Sequence, residues 1–478
     1  MIQQLIHTQF LSIFKGIIFR IFIFLNLVFS NHLKGQIHNN ISLLNSGYEI
    51  NWFNDSVSPS VYQSKMTSNL VHFYKGYYPT WSDSNGNLRI YYDINTLKDT
   101  FKFPILNSSQ FSSIDYTNGN NGSIFCENFF YSPYVKNDTI YFFYKKFIRN
   151  SNGALVFKWN FAKIENTGLR PKLNSFDNLL CDEELFNGST FTFQKNGKDL
   201  FLITHTYEIN SEQHKIKRFI INFPLESKAS KKDSISVHYP INVFGSYSLQ
   251  NIVVSSDGKK LITGLNNQFR PFRDSTKFIE INLNDNDLND YKIFTPPKLK
   301  KNGITFMMNS VMYFERNQKI AVIYSDSSRN YSTSIYDTLP LLMKLYYINS
   351  DSITNSNQEN YKLIKDSIDY HFLRLPHLYT GPNGKIYILL NGRTNNIRGY
   401  IINNSEATLA KLNYNSSINS YDLVDSVLHF QDTNKFFSGL PYFISGIGYR
   451  IWDTCRGDTT RLSYVGIYRD SARWIFDD

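Results

Sequence analysis

An all-β chain built as a ring of repeated sheets is what this sequence predicts, and three observations predict it. A strand–turn–strand pattern recurs along the chain, its copies are evenly spaced, and the residue usage favours strands. Aromatics make up 16% of the 478 residues, with 33 Tyr and 39 Phe. Both types suit a pleated surface, and helical periodicity is nowhere sustained.

The pattern is clearest at Asn251 to Leu265, NIVVSSDGKKLITGL. Ile252, Val253 and Val254 are β-branched, Asp257-Gly258 supplies the positive φ of a tight hairpin turn, and Leu261 and Ile262 begin the return strand. In chain order, related hairpins centre on Asn85-Gly86 (SDSNGNLRIYYD), Asn137-Asp138 (VKNDTIYFFY) and Asn196-Gly197 (FTFQKNGKDLFLITH). After Asp257-Gly258 come Asn317-Gln318 (MYFERNQKIAVIYSD) and Asn383-Gly384 (YTGPNGKIYILLNG). The turns fall roughly 50 to 65 residues apart, a period at which a unit cannot bury its own faces and must stack on its neighbours. Four strands of about 5 to 6 residues with loops fill such a unit, which points to a β-propeller blade. Residues 37–450 then hold about seven blades of about 60 residues each. Because a ring must hide its end edges, the first strand, near Ile41 to Phe53, is expected beside the strand around Tyr442 to Tyr449.

The flanks read differently. Residues 1–36 contain no acid, carry Lys15 and Arg20, and then run IFIFLNLVFS from Ile21 to Ser30. That is the length of a signal-peptide apolar core and well short of the roughly 20 apolar residues of a membrane span. A cleaved secretory signal, no stable membrane span after cleavage, and a secreted or cell-surface product are the expectation. Loss of residues 1–35 removes Lys15, Arg20 and Lys34, taking the formal net charge from +10 to +7. The remaining basic clusters, Lys228 with Lys231 and Lys232 and Lys298 with Lys300 and Lys301, sit in polar or Pro-containing segments without the aromatic platform of a nucleic-acid site. No nucleic-acid partner is expected.

Chemistry-bearing motifs are scarce. Cys126, Cys181 and Cys455 are too few and too far apart for a disulfide framework or a metal site. There is no GxSxG, HExxH, Walker or dinucleotide fingerprint. Asp285-Asn286-Asp287-Leu288-Asn289-Asp290 has alternating oxygen ligands, yet lacks the glycine and the distant Glu of a calcium loop, and reads as a polar turn. Asp83, Asn85 and Asn87 around Gly86 read as hairpin chemistry. No catalytic, cofactor or metal residue is therefore assigned, and no cofactor is expected. A ligand, if bound, belongs at the mouth of the central channel, where His205, Arg270, Arg273, Arg374, His377 and Arg393 near strand ends are the polar residues to watch.

Order of motifs adds a resemblance. Asn85-Gly86 with Leu88 and Tyr91, Asn196-Gly197-Lys198-Asp199 with Thr204-His205, Asp257 to Leu261, Gly381 to Tyr387 (GPNGKIY) and the closing Gly439 to Ile444 (GLPYFI) follow a leader in a fixed sequence. This resembles the secreted propeller-like N-terminal module of gliding-motility-associated, PKD-domain-containing proteins of gliding bacteria. The resemblance implies that residues 451–478 begin a PKD-like β-sandwich: Cys455 to Thr460, Asp470-Ser471 and Trp474 to Asp478 follow its pattern, with Asp477 where glycine is usual. So short a segment supplies only the first strands of a sandwich, and is expected to be poorly ordered or to lie against the ring. Arg456-Gly457-Asp458 coincides with the start of that segment. The resulting expectation is an exported, non-catalytic module that binds or scaffolds, with a protein or carbohydrate ligand. The alternative is a secreted propeller hydrolase acting on glycans or peptides. Against it, the Ser/Thr-x-Asp-x-Gly-x-x-Trp turn of sialidase-like propellers is only partly present: Ser84 stands in the Asp position, and Ser255-Ser256-Asp257-Gly258 lacks the spacer residue.

Overall fold

The computed structural model describes the strands set out below, with the adjoining residues 52, 87, 103–105, 171, 180–183, 188, 211–212, 222–229, 255, 259, 283, 287–290 and 381. Among the described residues there are strands, turns and bends and no helix. It follows that no described helix is long and apolar enough to cross a membrane.

The first sheet holds β1 (Ile41–Leu44), β2 (Tyr48–Asn51), β3 (Ser60–Gln63) and β4 (Tyr77–Tyr78) in the order β3-β2-β1-β4. The second is the meander β5 (Thr80–Ser82), β6 (Leu88–Asp93) and β7 (Thr96–Asp99). The third comprises β8 (Tyr134–Lys136), β9 (Thr139–Arg149), β10 (Leu155–Glu165) and β11 (Lys172–Leu179). β12 (Ser189–Phe193), β13 (Leu200–Glu208), β14 (Gln213–Ile221) and β15 (Ser230–His238) make the fourth. The fifth is β16 (Ile252–Val254), β17 (Lys260–Gly264), β18 (Phe278–Asn282) and β19 (Tyr291–Phe294).

In the sixth sheet β20 (Leu299–Lys301), β21 (Ile304–Phe314), β22 (Lys319–Asp326) and β23 (Thr338–Ile348) run in order, and both β24 (Ile353–Asn355) and β25 (Lys362–Asp369) pair with β23. β26 (Leu378–Thr380), β27 (Ile386–Leu390), β28 (Ala407–Asn415) and β29 (Ser420–Phe430) form the seventh. A last antiparallel pair joins β30 (Gly448–Ile451) to β31 (Leu462–Val465).

Every one of the six hairpins read from sequence joins paired antiparallel strands. Ser82 faces Leu88, Lys136 faces Thr139, Phe193 faces Leu200, Val254 faces Leu261, Phe314 faces Lys319 and Thr380 faces Ile386. The recurring turn thus joins the first two strands of five sheets and, in the sixth, β21 to β22. The first of the seven carries no such signal. Successive sheets adjoin through β12 with β16, β16 with β21, and β21 with β26, as a propeller-like array requires.

Sheets meet face to face across dry seams. Side chains alternate sides along a strand, so β13 sends Leu200 and Leu202 toward the third sheet, where they join Phe143, Trp159, Phe161, Phe191, Phe219 and Ile221. Its Phe201 and Ile203 point the other way and pack with Ile216, Ile235, Leu261, Ile279 and Ile281 of the fourth and fifth sheets. Phe191 stacks on Phe143 at 4.7 Å and takes the edge of Trp159 at 4.9 Å. A strand buried on both faces reads as a continuous apolar run, which is what LFLI is.

Of the strand expected to close the ring, Tyr442 to Ile447 lie outside the described residues. Gly448–Ile451 pairs with Leu462–Val465, whereas β1 pairs with β2 and β4. The first sheet instead abuts the seventh: Trp52 packs edge-on against Tyr387 of β27 at 5.3 Å, both buried, and β3 adjoins β29. Among the described residues the first and seventh sheets meet through these contacts. Of the tail, Leu462–Val465 is a strand, while Trp474 to Asp478 lie outside the described residues.

Two substitutions measure these seams. Leu202→Ala is expected to cost about 2–5 kcal/mol in denaturant unfolding, the range for a buried leucine whose neighbours relax only partly. A double-mutant cycle of Trp52→Ala with Tyr387→Ala should return a coupling of about 0.5–1.5 kcal/mol; additive effects would show that the two rings do not hold the ends together.

Candidate functional site

Polar side chains buried between the sheets are the first place to look for chemistry. His205 on β13 is fully buried, as are His214 on β14 and Thr263 on β17. Opposite His205 in the ladder stands Ile216, and opposite Tyr207 stands His214, so the two imidazoles are diagonal neighbours on one face of the hairpin. His205 Nε2 lies 2.8 Å from His214 Nδ1, and His205 Nδ1 lies 3.0 Å from Thr263 Oγ1. Two proton arrangements satisfy this chain with neutral rings. Either Thr263 donates to His205, which donates to His214, or every bond runs the other way. Burial and the neighbouring His214 hold the His205 imidazole well below its usual range.

The same face carries an ion pair. Arg218, 1% exposed, is opposite Asp233 in the ladder; its Nε donates to Oδ1 at 3.0 Å and its second terminal nitrogen pairs with Oδ2. Two cations, Arg218 and Lys232, lie 5.1 Å from the centre of the Phe201 ring. A buried fork-on-fork pair over an aromatic face is a positioning device.

Across the third and fourth sheets, Trp159 Nε1 donates to Ser189 Oγ at 2.9 Å, and Lys145 sits over the Trp159 ring at 5.3 Å. Lys217 Nζ reaches both oxygens of Glu183 at 2.7 Å, and Ala229 N–H donates to Leu180 O at 2.8 Å. Cys181 lies buried here as a free thiol, and burial pushes it up to about 12, so it is no nucleophile at neutral pH.

On the face of the fifth sheet turned away from the fourth, Glu280 is 4% exposed and bonds Lys260 at 3.3 Å. Among the described residues its Oε2 has no hydrogen-bond partner. Desolvation raises its pKa despite the lysine.

Where sequence reasoning pointed, the outcome is mixed. His205 belongs to a closed seam and not to a channel mouth, because its odd-numbered register on β13 turns it toward the fifth sheet. Arg270, Arg273, Arg374, His377 and Arg393 lie outside the described residues, as do Asp83, Asn85, Cys126 and Cys455. The acidic loop is a turn over its described part: Asp287 Oδ1 accepts from Asn289 N–H at 3.1 Å, Asp290 Oδ2 accepts from Asn282 at 2.6 Å, and Leu288 is buried as an anchor. Among the described residues no group of three or more His, Cys, Asp or Glu is placed to hold a metal. His214, Thr263, Arg218 and Glu280 were not singled out. The one signal for His214 is its place in the alternation of QHKIKRFII, on the same parity as Ile216.

No protein-family model and no curated protein matches the sequence. Solved structures align with the chain at low identity. An α-L-arabinanase from Cellvibrio cellulosa, complexed with arabinohexaose, is 10% identical over 61% of this chain and 93% of its own, with a TM-score of 0.33. An endo-1,4-β-xylanase from Bacteroides thetaiotaomicron is 11% identical over 66% and 97%, with a TM-score of 0.33. An exo-1,5-α-L-arabinanase from a bovine ruminal metagenomic library is 8% identical over 62% and 96%, with a TM-score of 0.34. The expectation of a non-catalytic binding or structural module is corrected here. The matched structures are glycan-cleaving enzymes, on the side of the alternative, a propeller hydrolase. The sequence argument had rested on missing motifs, and a site assembled from several sheets leaves no local motif to find.

Glu280 provides a test of the buried chemistry. Its folded carboxyl titrates above its unfolded value, so its contribution to stability is fully present below about pH 4.3 and is lost as pH rises through the folded value. Glu280→Gln is therefore expected to raise the urea midpoint at neutral pH and to lose that advantage below about pH 4.3. An equal gain at both pH values would mean that the carboxyl is not desolvated.

Proposed function

We propose that the chain is a hydrolase of extracellular glycans, acting at the mouth of the channel that the inner strands surround. The observation that supports this most directly is the succession of β12, β16, β21 and β26, each against the next. Inner strands in that succession bring the connecting segments of several sheets to one concave site, the setting in which a ligand is most fully enclosed. Hydrolysis of a glycosidic bond needs two carboxyl groups flanking it, one to protonate the leaving oxygen and one to attack or to activate water. Of the buried and half-buried carboxylates described above, Glu280 is turned into a seam, Asp233 is held by Arg218 and Glu183 by Lys217. None of these three acids is assigned to the catalytic pair.

The same reading takes the seven sheets as seven blades, residues 1–36 as a cleaved signal, and the outside of the cell as the place of action. Kinship with the gliding-motility-associated modules, and a PKD-like origin for residues 451–478, are part of the proposal.

The experiment is direct. The purified chain is incubated with arabinan, xylan, galactan and a peptide library, and new reducing ends and new amino termini are measured. Release of reducing ends from a polysaccharide is the expected result. Cleavage confined to peptides, or no turnover on any polysaccharide, would overturn the glycan reading.

A further inference from the structure

A meander places its connections alternately at its two ends, and in the fifth, sixth and seventh sheets the two ends differ in charge. On one side the recurring turns 255–259, 315–318 and 381–385, with 283–290, 349–352 and 416–419, join strand ends. Counted with the strand-end residues they join, these segments hold five Lys and Arg against six Asp and Glu, a net of −1. The other side is where Gly264 faces Phe278 and Leu390 faces Thr408 in the ladders. The segments joined there are 265–277, 295–303, 327–337, 370–377 and 391–406. With their strand ends they hold ten Lys and Arg against five Asp and Glu, a net of +5. Arg270, Arg273, Arg374 and Arg393 are among the ten.

The sixth sheet carries part of this charge inward. β20 pairs with the first three residues of β21, Lys300 opposite Thr305 and Lys301 opposite Ile304. It lies on the edge of β21 away from β22, and β21 is the strand through which the neighbouring sheets adjoin. Lys300 and Lys301 therefore stand closer to the axis than any other strand of their sheet, at its basic end. On the fourth sheet's side Glu208 at the end of β13 is paired with Lys215, and Glu183 with Lys217, so these acids are already matched. Lys and Arg seldom stay buried without a partner, and a concave mouth lined by one sign of charge concentrates ligands of the other. We propose that this end is the mouth at which the glycan binds, and that the glycan is a polyanion, a chain of sugars carrying carboxylates or sulfates, met at the rim by Lys300 and Lys301. Guanidinium groups suit either anion, since both accept two parallel N–H bonds. A neutral glycan would gain nothing from the excess of positive charge.

The inference rests on the reading of the chain as a glycan hydrolase and names the mouth and the substrate class for it. Affinity electrophoresis of the full chain reads binding apart from turnover, in native gels containing polygalacturonate, its fully methyl-esterified form, carrageenan, arabinan or polyphosphate. Polygalacturonate should retard the chain if carboxylates are the groups recognised, and carrageenan if sulfates are; the methyl ester and arabinan should not. Raising the salt from about 0.1 M to about 1 M cuts the screening length from about 10 Å to about 3 Å and should weaken the retardation about tenfold or more. Lys300→Glu combined with Lys301→Glu should weaken it by about tenfold, whereas Lys259→Glu, a reversal at the other end, should leave it unchanged. Where the double variant does not fold, the salt response and the methyl ester decide on the wild-type chain. Equal retardation by polygalacturonate and its ester, equal retardation by polyphosphate, or a folded double variant that binds as the wild type does would each overturn the inference. Retardation by a polyanionic glycan without new reducing ends would leave it standing and overturn the hydrolysis. Reducing ends released from arabinan, with no retardation by either acidic polysaccharide, would do the reverse.

Discussion

Burial of one sheet on both of its faces is the constraint on which the rest of this molecule depends. β13 has no solvent side: Leu200 and Leu202 close the seam with the third sheet, Phe201 and Ile203 the seam with the fifth. A slip of one residue in its register would exchange the two sets and turn His205 away from Thr263. The hairpin turns at the head of each meander fix that register locally. The seams then have only to select the right neighbour, and they do so with a few polar pairs, Trp159 with Ser189 on one side and His205 with Thr263 on the other.

Turn chemistry was the most legible part of the chain. Asn-Gly, Asp-Gly and their relatives mark a tight reversal whatever surrounds them, so six hairpins could be placed from residues alone. The first sheet was read only as one strand near Ile41 to Phe53, because its strands are short and no Asn-Gly or Asp-Gly pair marks their turns. The meeting of the end sheets leaves a different kind of trace. A pattern of strands says which segments have edges, but the meeting of Trp52 with Tyr387 is a meeting of faces between residues far apart in the chain, and nothing local announces it.

The buried polar groups were legible least. His205 stood out only as a histidine near a strand end, and the bonds that define its role come from a diagonal neighbour on β14 and from a separate sheet. Arg218 and Asp233 are 15 positions apart on strands whose pairing runs through a bulge at Arg218/Phe219, so their spacing carries no helical or hairpin signature. The inference of a non-catalytic module failed on the same ground. It treated the lack of a contiguous motif as lack of a site, whereas an array of sheets assembles its chemistry from separate segments.

Contact of Trp52 with Tyr387 also bears on how such a chain can change over generations. A ring joined by the packing of its two end sheets has a fixed circumference, because each seam sets the angle to the next sheet and the last must arrive where the first stands. Adding or deleting one whole unit would leave the indole and the phenol facing the wrong partners, so the number of units is locked even though each is a repeat. Length variation is then diverted into the segments between strands, where it alters the rim without touching the ring. Inheritance in this architecture conserves an angle and leaves the decoration free.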